Sequence, residues 1–229
     1  MSVLERHERF EIEMLDALRR AKALDGVVFG GGTMLRLCHQ MERYSVDLDF
    51  FLKEPERDFA ADFDRMRSAA IELGCSVTDD AEKPFSWLLE LRRADAPRRL
   101  KIEVRKDDEW AREREIGIAF SRYTPRLQVR LAVCSLGQMW TNKVEALRSR
   151  REIRDAYDLE FLLRRGAGKP EELPASVLGE IRDALGGFKP ADYSSRLGTL
   201  LPPDERERVV SQRLALLTGA IEQTIGDRA

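Results

Sequence analysis

The stretch FGGGTMLRLCHQMERYSVDLDFFL, residues 29–52, opens on three glycines and a threonine and closes on two aspartates one residue apart. Val27-Val28-Phe29 reads as a short buried strand. Gly30-Gly31-Gly32 turns it into a helix that starts near Thr33, and residues 44–52 alternate as a second strand. Side chains on a strand alternate between faces, so Tyr44, Val46, Leu48 and Phe50 fall on one face and Arg43, Ser45, Asp47 and Asp49 on the other. The apolar set packs on helices. The polar set brings two carboxylates together, with Cα atoms roughly 6.5–7 Å apart by strand rise. Like charges so placed repel and raise each other's pKa. A divalent cation removes the conflict, because Mg²⁺ takes carboxylate oxygens and keeps waters and substrate phosphates as its other ligands. A solvent-facing strand with a wet side explains a lone Asp-x-Asp equally well.

A second segment, RRLKIEVRKD at residues 98–107, alternates in the same way. Leu100, Ile102 and Val104 face the core and leave Lys101, Glu103 and Arg105 on the other side. Laid beside the first strand, Glu103 becomes a third carboxylate; by itself it is an exposed Glu paired with its neighbours. The glycine turn is neither a P-loop nor G-x-G-x-x-G. A strand–Gly-Gly-Gly–Thr–helix unit presents backbone N–H groups at a helix N-terminus, which suits a phosphate. Thr33 as an N-cap and the glycines as a tight turn form the plainer alternative.

Around this stretch, residues 3–24 read as an amphipathic helix with Phe10, Met14 and Leu18 at i, i+4, i+8, ended by Asp25-Gly26. Pro55 opens a further helix to about Leu73, and Ser86–Arg92, Leu100–Arg105 and Gln128–Cys134 read as strands. After Ser135 the pattern turns helical, with segments at Ser135–Arg150, Arg151–Arg165, Glu171–Leu185 and Asp204–Gly226. The expectation is an α+β domain over 1–135 and a helical domain over 136–229. Hydrophobic residues make up 43% and charged residues 35% of the 229, with a net charge of −2 and a pI near 5.9. Whole-surface attraction to nucleic acid is not indicated, so RNA or nucleotide binding has to come from a local patch. No apolar run reaches the ~20 residues of a membrane span. The N-terminus is charged throughout, unlike a signal peptide. Three scattered cysteines and two histidines form neither a disulfide framework nor a zinc pattern, which places the chain in a reducing cytoplasm.

Taken together, Gly-Gly-Thr leading into a helix and Arg43-x-Ser45-x-Asp47-x-Asp49-Phe50 resemble the nucleotidyltransferase fold of the DNA polymerase β superfamily. Later pieces carry the likeness to AbiEii-type nucleotidyltransferase toxins of type IV toxin–antitoxin pairs: Lys143 before Val144-Glu145-Ala146-Leu147, and Asp155 and Asp158 in Arg154-Asp155-Ala156-Tyr157-Asp158-Leu159. The likeness spans about residues 27–165. It implies a polymerase β-like fold with a mixed sheet and a helical C-terminal domain. It also implies NMP transfer from an NTP with release of pyrophosphate, with Mg²⁺ or Mn²⁺ held by Asp47 and Asp49 and with Glu103 as the third ligand or as the group that takes the hydroxyl proton. Gly31, Gly32 and Thr33 would take the phosphates, with Arg43 and Ser45 in contact or support, and Lys143 would add positive charge on the triphosphate. Asp155 and Asp158 share a helix face; one fixes Lys143 or binds the nucleotide, Asp158 preferred. Salt bridges to Arg151 and Arg154 on the helix surface are the alternative. Replacing Lys143 by alanine is expected to weaken NTP use with the fold intact.

Basic runs flank the proposed site. Arg92, Arg93, Arg98, Arg99, Lys101, Arg105 and Lys106 form one, and Arg148, Arg150, Arg151 and Arg154 the other. Related toxins act on the 3′ acceptor end of tRNA, so the resemblance implies tRNA as acceptor and a cognate antitoxin as partner. A small hydroxylated molecule or a protein side chain as acceptor, and a catalytically inactive nucleotide-binding module, stay open on the residues alone.

Overall fold

The computed structural model describes residues 1–229 apart from Pro55, Arg57 and Ala229. The chain divides into two compact units, Met1–Ser135 and Leu136–Ala229. The first is an α+β unit built on one mixed sheet. Its helices are α1 (Val3–Arg20), α2 (Gly31–His39) and α3 (Ala60–Glu72). Its strands are β1 (Val27–Gly30), β2 (Asp47–Leu52), β3 (Ser76–Glu82), β4 (Ser86–Arg92), β5 (Leu100–Arg105), β6 (Arg114–Phe120) and β7 (Gln128–Cys134). They lie in the order β3-β4-β5-β2-β1-β7-β6. β2 runs parallel to β5 and β1 parallel to β7; the other pairs are antiparallel.

One face of the sheet is apolar and fully buried, with Leu48, Phe50, Leu89, Ile102 and Val104 all sealed from solvent. Burial of one such side chain is worth about 1.5–3 kcal/mol. The Phe29 and Phe50 rings meet at 5.2 Å, and Trp87 packs on Phe63 of α3 at 4.9 Å. α3 therefore covers this face. Alternation along β2 and β5 sends Asp47, Asp49 and Glu103 to the opposite face.

Several boundaries differ from the sequence expectation. The strand expected over 44–52 begins at Asp47, and residues 40–46 are irregular. The helix expected over 3–24 stops at Arg20, with Lys22 at a φ of +56°. The Pro55 start expected for α3 lies outside the described residues, and the helix runs from Ala60. The segment expected as one helix over 204–226 is two, α7 (Pro203–Gln212) and α8 (Ala215–Gly226), because Arg213 at a φ of +55° breaks it. They close the second unit, behind α4 (Leu136–Arg150), α5 (Ile153–Arg164) and α6 (Ala175–Gly187). Its core gathers Leu147, Leu159, Leu162, Leu178, Ile181, Leu217 and Ile221. Among the described residues no helix is long and apolar enough to cross a membrane. All three cysteines are free thiols.

Candidate active site

The glycine turn is shaped by what lies under it. Gly31 has a φ of +72°, in the left-handed region that favours glycine. A Cβ there would also fall on the Asp49 carboxylate. At Gly32 a Cβ would strike the Arg43 guanidinium and come within 2.9 Å of Ser45 Oγ. The bare start of α2 is thus pressed against Asp49 on one side and Arg43 and Ser45 on the other. No side chain caps α2, and a helix N-terminus of this kind favours an anion. Thr33 is not the N-cap. It lies inside the first turn, fully buried, and its hydroxyl donates to the Asp47 carbonyl at 2.6 Å. That bond pins the helix start to β2. Replacing Gly31 by alanine is expected to cost about 1–3 kcal/mol in backbone strain and to displace Asp49, so turnover collapses along with the melting temperature. A Gly31→Ala protein with full turnover in a transfer assay would remove the turn from the site.

Register fixes the carboxylates. Asp49 pairs with Glu103 and Asp47 with Lys101 across the parallel β2–β5 ladder. All four are half-buried. The Lys101 ammonium lies 3.2 Å from Glu103 Oε2 and 3.8 Å from Asp47 Oδ2. Burial works against its charge, but Asp47, Glu103 and Asp49 outweigh burial and raise its pKa. Burial alone would push the Glu103 pKa up; Lys101 overrides it, helped by Arg105 and a hydrogen bond to Ser86, and the pKa falls. Among the described residues no three His, Cys, Asp or Glu side chains gather closely enough to hold a metal ion. Lys101 supplies a cation where the acids meet. The donor set still fits Mg²⁺, which is commonly held by one or two carboxylates with waters and phosphates completing the shell. Asp47 and Asp49 offer that pair. Asp47 also lines an open cleft of about 460 Å³ with Val46, Glu90, Arg98, Arg99 and Lys101.

A buried polar layer from α1, not expected from the sequence, supports the loop that feeds β2. Glu8 accepts from Arg36 Nε at 2.8 Å and from Ser121 Oγ at 2.6 Å. Arg36 stacks over the Tyr44 ring at 4.2 Å and donates to the Met41 and Glu42 carbonyls. His7 Nε2 lies 3.0 Å from the Val46 carbonyl. Glu11 is sealed beneath; burial first, then Glu8 and Asp47, push its pKa well up. The available signal was three polar residues, His7, Glu8 and Glu11, on the same turns of α1 as Phe10 and Met14.

In the second unit, Lys143 of α4 is buried. Its ammonium lies 2.6 Å from Asp158 and 3.1 Å from Asp155, both of α5 and both sealed from solvent. Arg150 binds Asp155 through two 2.6 Å bonds. The alternative of surface bridges to Arg151 and Arg154 is not what forms: Arg154 pairs with Glu152 instead. Other members of the basic runs are likewise engaged, Arg93 with Glu13 and Asp95 and Arg148 with Glu145 and Glu180. Arg98, Arg99 and Arg105 stay exposed on the first unit.

The sequence model described as nucleotidyl transferase AbiEii toxin, type IV toxin–antitoxin system, matches residues 13–216. No curated protein matches the sequence. Two solved structures from Helicobacter pylori share the fold at 18% identity and a TM-score of 0.53. JHP933 is aligned over 99% of this chain and 97% of its own, and a putative nucleotidyltransferase over 95% of each. MenT4, the nucleotidyltransferase toxin Rv2826c from Mycobacterium tuberculosis H37Rv, is also 18% identical, with 98% of this chain and 93% of that one covered at a TM-score of 0.48.

Proposed function

This chain belongs to the AbiEii family of nucleotidyltransferase toxins of type IV toxin–antitoxin systems, and we propose that it transfers NMP from an NTP to the 3′ end of RNA, with tRNA as the acceptor. The observation that carries the site is one register: Asp49 beside Glu103 on the polar sheet face, with Asp47 one pleat away and the glycine turn pressed on Asp49. In this reading Asp47 and Asp49 hold a divalent cation, Mg²⁺ or Mn²⁺, with Glu103 as the third carboxylate once Lys101 gives way. Bound there, the cation would offset charge on the reacting phosphate.

The chain's own groups then divide the work. The N–H groups at the start of α2, with Gly31 and Gly32, receive the triphosphate. Thr33 fixes that helix start, and Arg43 and Ser45 support it from below. The acceptor hydroxyl oxygen bonds to the α-phosphorus as the bond from that phosphorus to the bridging oxygen breaks. The bonding electrons and the negative charge leave with pyrophosphate, and Glu103 takes the hydroxyl proton. Arg98 and Arg99, exposed on the cleft that Asp47 lines, meet the acceptor's phosphates as point charges. Asp155 and Asp158 hold the Lys143 ammonium inside the second unit, and the triphosphate role that the resemblance gave it remains a proposal. A cognate antitoxin completes the pair, and the reaction belongs in the cytoplasm.

The test supplies the protein with Mg²⁺, each labelled NTP in turn and total tRNA. Label at tRNA 3′ ends is the expected result. Label on a small molecule or on protein, or no transfer, overturns the RNA reading.

A further inference from the structure

Two residues beyond Glu103 on β5, the same sheet face changes chemistry. Arg105 stands there, in register with Phe51 of β2 and Ser86 of β4. Phe85, just before β4, is 84% exposed, more than any other large apolar side chain of the described residues. With Arg105, Lys106, Asp107 and Trp110 it lines an open cavity of about 380 Å³. The Arg105 guanidinium lies 5.8 Å from the Trp110 ring centre. The short turn Glu109–Ala111 that carries Trp110 packs against β2. The Lys106 backbone N–H donates to the Phe85 carbonyl at 3.1 Å, which holds the hairpin end in place. An isolated exposed phenylalanine is unremarkable on a protein surface. This one shares a cavity with a second aromatic ring, the Arg105 guanidinium, Asp107 and Lys106, whose ammonium is paired with Glu82 at 2.6 Å, beside the candidate carboxylates.

We propose that this cavity is an acceptor subsite that stacks an unpaired nucleobase at the 3′ end of the RNA, with Arg105 facing its phosphate. The inference rests on the RNA reading of the site above. Aromatic faces take any base by stacking, and basic side chains follow the backbone. Position selects the acceptor over the NTP. The glycine turn lies over Asp49 at the β1–β2 ladder, and the cavity opens past the far end of β5, between Phe85 and the turn that carries Trp110. In-line displacement sets the attacking hydroxyl opposite the leaving pyrophosphate. With the triphosphate on the glycine turn, the acceptor comes from β5.

The experiment uses the full chain, a short oligoribonucleotide with an unpaired 3′ end, and the Phe85→Ala, Phe85→Tyr and Arg105→Ala variants. Phe85→Ala is expected to raise the acceptor KM and the oligonucleotide Kd roughly tenfold, the scale of one lost stacked base. Phe85→Tyr should restore both, and the NTP KM should not move. Arg105→Ala should weaken binding and flatten its salt dependence. Labelling of RNA by wild type, with an unchanged acceptor KM in Phe85→Ala, overturns the subsite and leaves the RNA reading standing. A rise in the NTP KM instead gives the cavity to the nucleotide and overturns the acceptor assignment. Oligonucleotide binding insensitive to salt also overturns it. Failure of wild type to bind or label any RNA removes both readings together.

Discussion

Asp47→Asn is expected to lower nucleotidyl transfer on the order of 10³-fold, the equivalent of about 4 kcal/mol of lost charge stabilisation in the transition state. The substitution keeps the shape of the side chain and removes its charge. The structural work of position 47 passes through its backbone, whose carbonyl accepts the Thr33 hydroxyl, and the asparagine leaves that bond in place. Its side chain pairs with Lys101 at 3.8 Å, between groups each about a third exposed. Such a pair is worth about 0–1 kcal/mol after solvent screening, so the melting temperature should barely move. Activity and stability therefore separate cleanly at this position. Single-turnover transfer assays beside thermal melts read the two effects. A variant with wild-type turnover would show that Asp47 does not touch the reaction, and the carboxylate site would go with it.

What could be read from the sequence followed the strength of the local pattern. The β4, β5 and β7 boundaries are legible because their inward residues are apolar and, apart from the half-buried Trp87, sealed from solvent. The two strands that no sequence pattern marks, β3 and β6, sit at the sheet edges. An edge strand needs only one hydrogen-bonded neighbour, and Ser76–Glu82 is mostly exposed on both faces, so no alternation marks it. The juxtaposition of β2 and β5 has no local signal, since parallel pairing joins segments about fifty residues apart in the chain. Lys101 shows the limit most clearly. In sequence it belongs to a basic run. In the fold its register partner is Asp47, which turns a surface cation into the counterion of the acidic cluster. Glu8 and Glu11 share the turns of Phe10 and Met14, yet a helix pattern reports which face is apolar, not which polar side chains that face takes inside. Gly31 and Gly32 were noticed as a turn, but the carboxylate and guanidinium that exclude a Cβ come from residues 49 and 43, and only the folded chain brings them there.

Lys143→Met is expected to destabilise the second unit by about 3–5 kcal/mol, the usual cost of breaking a buried ion pair by removing one member. The sequence expectation of an intact fold does not allow for this burial. Lys143 binds two aspartates that are both sealed from solvent. Asp155 retains Arg150 after the substitution, and both aspartates lose the ammonium contact. The pH dependence follows from Asp155. Burial works to raise its pKa, but Arg150 and Lys143 prevail and hold it below the usual value. A carboxylate depressed in the folded state contributes stability that is fully present above its unfolded pKa, about 3.9, and is lost as pH falls through the folded value. Removing Lys143 relaxes that depression, so the acid unfolding midpoint of the variant should move to higher pH. A double variant, Lys143→Met with Asp158→Leu, replaces the pair by apolar groups and should recover most of the lost stability. That double variant separates the two roles of the lysine. Stable folding with a raised NTP KM supports a contact with the triphosphate. Stable folding with unchanged NTP kinetics makes Lys143 purely structural. Urea unfolding at pH 7 checks the first claim, and a single variant as stable as wild type would show that the buried pair contributes nothing to the fold.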